Sequence, residues 1–187
     1  MAQDDLISFF TRQAEAMGAQ VIPVDGVRDI GPQLVEVLKS YGRKVALVDS
    51  PVAREAGLEA ALAAAGFHIE KDGAGFARQV DTGIVEFDYG IAETGTLAMD
   101  ATGLKERLAA MLPLTCVALL RAGRIRANLS GVIDAYLERG NWPGYFTLVT
   151  GPSRTADIER SLTIGVHGPE RLLIILVKDN GGDRLGR

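Results

Sequence analysis

The apolar run Lys44-Val-Ala-Leu-Val-Asp49 is followed by an alanine-rich stretch, Val52 to Ala65, and then by the short run Phe67-His-Ile-Glu70. Strand, helix and strand within about thirty residues read as a right-handed βαβ unit, because parallel strands need a long crossover and a helix supplies it. That unit constrains the fold more than any other feature. It predicts an α/β domain with a mainly parallel sheet and helices on both faces.

The rest of the chain continues the pattern. Residues 4–17 carry Leu6, Phe9, Phe10, Ala14 and Met17 at helical spacing, and Pro32 and Gly42 bracket a second helix over Pro32 to Ser40. Further strands are expected at 89–92, 96–99, 114–120, 145–150 and 172–177. Helices are expected at 105–111, 129–139 and 156–162, each flanked by glycine, proline or a capping residue. Leu47, Val48, Val117, Leu119, Leu148, Ile174 and Leu176 are the expected core of the sheet.

A chain of 187 residues with 47% hydrophobic and 24% charged residues reads as one globular domain over 1–187. Its N-terminal segment, about 4–40, is read as helical, and the polar, glycine-rich tail 178–187 as flexible. The net charge of −4 gives no general attraction to nucleic acid or an anionic membrane, so any anion must meet a local positive site. Acidic residues near the start and the lack of a long apolar run point to the cytoplasm. The single cysteine, Cys116, excludes an intramolecular disulfide and a cysteine-ligated cluster held by one chain, and its apolar neighbours make it a buried small hydrophobe.

Glycines and small polar residues gather in three segments at or near strand ends, where open α/β sheets bind ligands. In Ala92-Glu-Thr-Gly-Thr96, Gly95 permits a tight turn that aims amides and the Thr94 and Thr96 hydroxyls at an anion, with Glu93 beside them as a carboxylate. The plainer alternative is a turn whose threonines bond the local backbone. In Gly151-Pro-Ser-Arg-Thr-Ala-Asp157, Ser153, Arg154 and Thr155 precede an expected helix start, so exposed amides and a guanidinium can grip a carboxylate or phosphate. A capped helix with a surface pair between Arg154 and Asp157 explains the same residues. In Gly165-Val-His-Gly-Pro169, His167, followed by Gly168, can exchange a proton near neutral pH or merely bond a carbonyl. His68 sits in a strand-like run, and the two histidines lack metal-binding spacing, so no metal is expected. There is no phosphate-binding P-loop, no Gly-x-Ser-x-Gly turn, and no dinucleotide-binding glycine turn after the first expected strand.

Tyr-Gly-Ile-Ala-Glu-Thr-Gly-Thr-Leu at 89–97, Gly-Pro-Ser-Arg-Thr-Ala-Asp-Ile-Glu at 151–159 and Gly-Val-His-Gly-Pro at 165–169 together resemble the signature of the LUD-domain family of bacterial lactate-utilization proteins, in both order and spacing. The resemblance covers about residues 80 to 177. It implies a Rossmann-like three-layer α/β sandwich related to the sugar-phosphate isomerase and CoA-transferase superfamily. It further implies an accessory or ligand-binding subunit of a system that oxidises L-lactate to pyruvate, with iron–sulfur clusters on partner subunits and no cofactor of its own. Acyl transfer through Glu93 is an alternative the superfamily relation raises, although threonine stands at 94 where those enzymes usually carry asparagine. A non-catalytic regulatory module is a third.

Overall fold

The computed structural model describes residues 2–71, 80–140, 142–155, 163–164 and 168–178; of 154–155 and 163–164 the backbone alone is described. The expected helix at 156–162, His167 and the tail beyond Lys178 lie outside the described residues.

Six strands form one parallel sheet: β1 (Gln20–Val24), β2 (Lys44–Leu47), β3 (His68–Glu70), β4 (Thr82–Glu86), β7 (Thr115–Arg121) and β12 (Arg171–Val177), ordered β1-β12-β7-β4-β2-β3. The central strands β7 and β12 are apolar on both sides. Val117, Leu119, Leu173 and Ile175 face α2 (Ile30–Leu38), α3 (Pro51–Glu55) and α4 (Leu58–Ala64), while Cys116, Ala118, Leu120, Ile174 and Leu176 face the opposite layer. That layer holds α1 (Gln3–Ala16), α5 (Leu104–Met111) and a second sheet. Burial pushes the Cys116 thiol up to about 12, as expected of a small hydrophobe sealed in the core.

The expected mainly parallel sheet is thus present, and a second sheet stands beside it. β5 (Tyr89–Ile91), β6 (Thr96–Asp100), β8 (Ile125–Arg126) and β9 (Phe146–Val149) are ordered β8-β5-β6-β9, with β5/β6 and β6/β9 antiparallel and β5/β8 parallel. The link between β5 and β6, Ala92 to Gly95, is too short for a crossover and closes a hairpin instead. Leu148, expected in the core, is 45% exposed, because β9 is the edge of this outer sheet. The other six expected core residues are buried. α6 (Leu129–Glu138) covers the sheet's outer face through Val132, Ala135 and Tyr136. The Tyr136 hydroxyl donates to Asp88 Oδ2 at 2.9 Å. Burial and that carboxylate raise its pKa above the ordinary tyrosine value.

Two strands of the parallel sheet escaped the sequence reading. β1 lies inside the segment read as helical and contains Pro23, which is tolerated because β1 is an edge strand paired only with β12. β4 contains Gly83, whose missing side chain lets α5 approach. A Cβ there would overlap the carbonyl of Ala109. The single helix expected over Val52 to Ala65 is broken into α3 and α4 at Gly57, which takes φ +59. Ser50 caps α3 by accepting from the Ala53 amide at 3.2 Å, and Pro51 opens it.

Gly83→Ala is therefore expected to lower stability by about 1–3 kcal/mol, because the methyl meets backbone and not a movable side chain. Chemical denaturation checks it, and an unchanged midpoint would contradict the seating of α5 on β4. Cys116 should resist a water-soluble thiol reagent at pH 8 in the folded chain and react only on unfolding; prompt native labelling would contradict its burial.

Candidate functional site

The last turn of α1 organises two of the three glycine segments. Gly95 takes φ +64, and a Cβ there would overlap the backbone of Gln13 and Ala14. Gly151 takes φ +67, and its Cβ would overlap the carbonyl of Met17, just beyond the helix. Only a residue without a side chain satisfies both the left-handed turn and the close approach at either position. The hairpin turn and the end of β9 are thus both docked on one helix terminus.

Pairing of β6 with β9 then brings Thr96 beside Thr150. Their hydroxyl oxygens lie 2.7 Å apart, and the Thr94 hydroxyl lies 2.7 Å from that of Thr96. Thr96 is buried, whereas Thr94 and Thr150 are exposed. A row of three hydroxyls with two bonds between them keeps one proton to donate outward, which suits a carboxylate or carbonyl oxygen.

The Ser153 amide donates to the Pro169 carbonyl at 2.9 Å, and a Cβ on Gly168 would lie 3.0 Å from that of Ser153. Thr150, Gly151, Pro152, Ser153, Gly168 and Pro169 line one side of a cavity of about 380 Å³, with Met17, Met111 and Leu148 on the apolar side. This cavity lies at the amino ends of the parallel strands: Met17 precedes β1, Met111 precedes β7 and Pro169 precedes β12. Thr150 was not among the residues singled out from sequence. Its position directly before Gly151, at a strand end, is the signal that points to it.

Glu93 is held elsewhere. Its amide donates to the Ala127 carbonyl at 3.0 Å, and its Oε1 accepts from the Leu129 amide at 3.3 Å, at the first turn of α6. Asn128 caps the same turn, its Oδ1 accepting from the Gly131 amide at 3.0 Å. The Glu93 carboxylate thus sits where a helix favours negative charge. Arg154 and Thr155 form a short strand, β10, antiparallel to β11 (Thr163–Ile164). Of the three segments, the structure brings together Thr94, Gly95, Thr96, Ser153 and Gly168, and it ties Glu93 to the start of α6.

A larger cavity, about 910 Å³, opens at the carboxyl end of β2, lined by Leu47, Val48, Asp49, Arg54, Lys71 and Lys105 among others. The connection after β2 runs through α3 and α4 on one face, and that after β4 runs through the second sheet and α5 on the other, which makes this the switch point of the sheet. The cations there are largely answered: Arg54 meets Asp49 at 2.5 Å and Lys71 meets Glu59. The amino-end cavity is smaller, but Thr150 and Ser153 line it, and Thr150 links it to the hydroxyls of Thr96 and Thr94. Among the described residues no group of three or more His, Cys, Asp and Glu side chains is placed to hold a metal ion.

Thr96→Val is expected to cost about 1 kcal/mol by deleting the middle hydroxyl, and Gly95→Ala clearly more, through both strain and overlap with α1. Urea unfolding of the two variants orders them; a Gly95→Ala midpoint equal to wild type would contradict the docking of the hairpin turn on α1.

The sequence model of the LUD domain matches residues 7–177. Lactate utilization protein C of Geobacillus kaustophilus (strain HTA426) is 29% identical over 193 residues, covering 95% of this chain and 80% of that protein. Lactate utilization protein C 1 of Bacillus mycoides (strain KBAB4) is 38% identical over 108 residues, covering 56% of this chain and 46% of its own length. A crystal structure of a DUF162 family protein from Deinococcus radiodurans superposes with a TM-score of 0.67 at 18% identity, over 95% of this chain and 99% of that one, which establishes the shared fold. With a family match running across both sheets and all three glycine segments, the chain belongs to the LUD-domain family.

Proposed function

We propose that this chain serves lactate utilization as an accessory or ligand-binding subunit, working in the cytoplasm beside iron–sulfur subunits that oxidise L-lactate to pyruvate. The observation that carries the reading is the likeness to proteins named lactate utilization protein C along 95% of the chain. Converting lactate to pyruvate removes a hydride equivalent and a proton, so the system needs an electron acceptor. One cysteine, buried at 116, supports assigning the clusters to partner subunits and no cofactor to this chain.

What the chain offers a small acid is a set of polar groups fixed in place by the backbone. Thr150, at the end of the hydroxyl row it shares with Thr96 and Thr94, and the Ser153 segment would meet the carboxylate and the oxygen on the neighbouring carbon, and the apolar wall of Met17, Met111 and Leu148 would meet the methyl group. Arg154 directly follows Ser153 and is the one permanent cation in the three glycine segments, so we assign it the ligand's carboxylate or phosphate. His167, beside Gly168, is the assigned proton-exchanging group of the third segment, and Thr155 a further donor. For Glu93, the bond from the Leu129 amide supports a positioning role over covalent acyl transfer, because a carboxylate held by a helix start is a weaker nucleophile.

Calorimetric titration of lactate, pyruvate and phosphate into wild type and Arg154→Ala tests this reading. Binding by wild type and a loss of roughly tenfold to a hundredfold in the variant are expected for a charge-assisted contact. Equal binding by both proteins, or by neither, would contradict it. Co-purification with iron–sulfur proteins from lactate-grown cells is the companion expectation, and measurable acyl-CoA exchange abolished by Glu93→Gln would favour the transferase reading instead.

A further inference from the structure

Away from the glycine segments, three arginines converge on one tyrosine. The Tyr89 ring, 1% exposed, has the guanidinium carbon of Arg139 at 4.9 Å from its centroid, that of Arg126 at 5.3 Å and that of Arg124 at 5.8 Å. β8 and the short 3-10 turn before it carry Arg124 and Arg126, while Arg139 closes α6, so the cluster joins the edge strand of the outer sheet to the end of the helix covering it. Arg139 also lies 5.8 Å from the Tyr136 ring, and Tyr136 packs edge-on against Trp142 with centroids 6.1 Å apart. Trp142 is 49% exposed.

The charges at this cluster do not cancel. Arg139 pairs with Asp88 Oδ1 at 3.3 Å, and among the described residues Asp88 is the one carboxylate paired with any of the three. Asp100, whose amide donates to Asp88, has its own carboxylate turned to the Thr102 amide at 2.9 Å. Asp134 and Glu138 lie 200° around α6 from Tyr136 by helix geometry, away from the face that meets the ring. Arg126 donates from Nη1 to the Gly123 and Ile125 carbonyls, and Arg124 makes no hydrogen bond or ion pair among the described residues. Positive charge is thus left over in a protein whose net charge is −4. Stacking on a ring holds a guanidinium rigid while leaving its N–H edge for a carboxylate.

We propose that Arg124, Arg126 and Arg139, with exposed Trp142 beside them, form a docking surface for an acidic segment of a partner protein. Arginine, tryptophan and tyrosine are the residue types that concentrate binding energy in protein interfaces. The overall negative charge opposes a long polyanion such as nucleic acid but not a short acidic segment that meets this patch alone. The inference does not depend on which reaction the chain serves.

Trp142 is the chain's one tryptophan, so its fluorescence reports on this surface alone. Titration of the full chain with a short glutamate-rich peptide at low salt is expected to change Trp142 emission saturably, with weaker binding as salt is raised. Arg124→Glu should weaken that binding by roughly tenfold or more, whereas Arg12→Glu, an exposed arginine on α1, should leave it unchanged. If circular dichroism shows Arg124→Glu misfolded, Arg124→Gln provides the same reading with the charge removed and not reversed. No emission change with the peptide, an equal loss in Arg12→Glu, or unaltered binding in a folded Arg124 variant would each overturn the proposal. Saturation by inorganic phosphate without a response to the peptide would also overturn it, by showing a small-anion site.

Discussion

Strands β7 and β12 are apolar on both faces, and neither face can be left to water. Burying such a pair is worth roughly 25 cal/mol for each Å² of apolar surface removed from solvent, so two separate coverings are required. Helices α2, α3 and α4 satisfy one face. The other is covered by a mixed layer, α1 and α5 together with a small antiparallel sheet, and this asymmetry gives the molecule its surface chemistry. The outer sheet exposes edges, a hairpin turn and a helix of its own, all of which carry polar residues near the covered core.

The covering layer is held by close backbone approaches as well as by side-chain packing. Gly83 lets α5 settle on β4, and Gly95 and Gly151 let two loops settle on the end of α1. Such contacts tolerate no adjustment, because backbone atoms cannot rotate away as a side chain can. They also fix the hydroxyls of Thr94, Thr96 and Thr150 relative to the parallel sheet, so a rigid packing requirement doubles as the positioning device for the cavity between β9 and β12.

Much of this was legible in the residues. The βαβ spacing from Lys44 to Glu70 and the two-sided apolar strands at 115–121 and 171–177 specify the parallel sheet and its core. The hairpin nature of 89–100 was also present in the brevity of the Ala92–Gly95 link, but local apolar pattern does not separate a strand of one sheet from a strand of another. Pro23 and Gly83 hid β1 and β4, since each breaks a local rule for a reason that is tertiary: one strand lies at an edge, the other lies under a helix. The glycine segments were legible as turns at strand ends, and the pairing that sets Thr150 beside Thr96 depends on strand register, which sequence spacing does not reveal. Glu93 looked like a free carboxylate because the helix start that holds it lies 36 residues further on.

The row of threonine hydroxyls has a property that no single donor has. Each hydroxyl both gives and accepts, so the bonds can all point one way or all the other. With protons running toward Thr150, Thr150 presents a donor to solvent and Thr94 presents lone pairs; reversing the row exchanges those roles. An acceptor bound at one exposed end therefore fixes the polarity offered at the opposite end, through the buried oxygen of Thr96 and with no movement of the backbone.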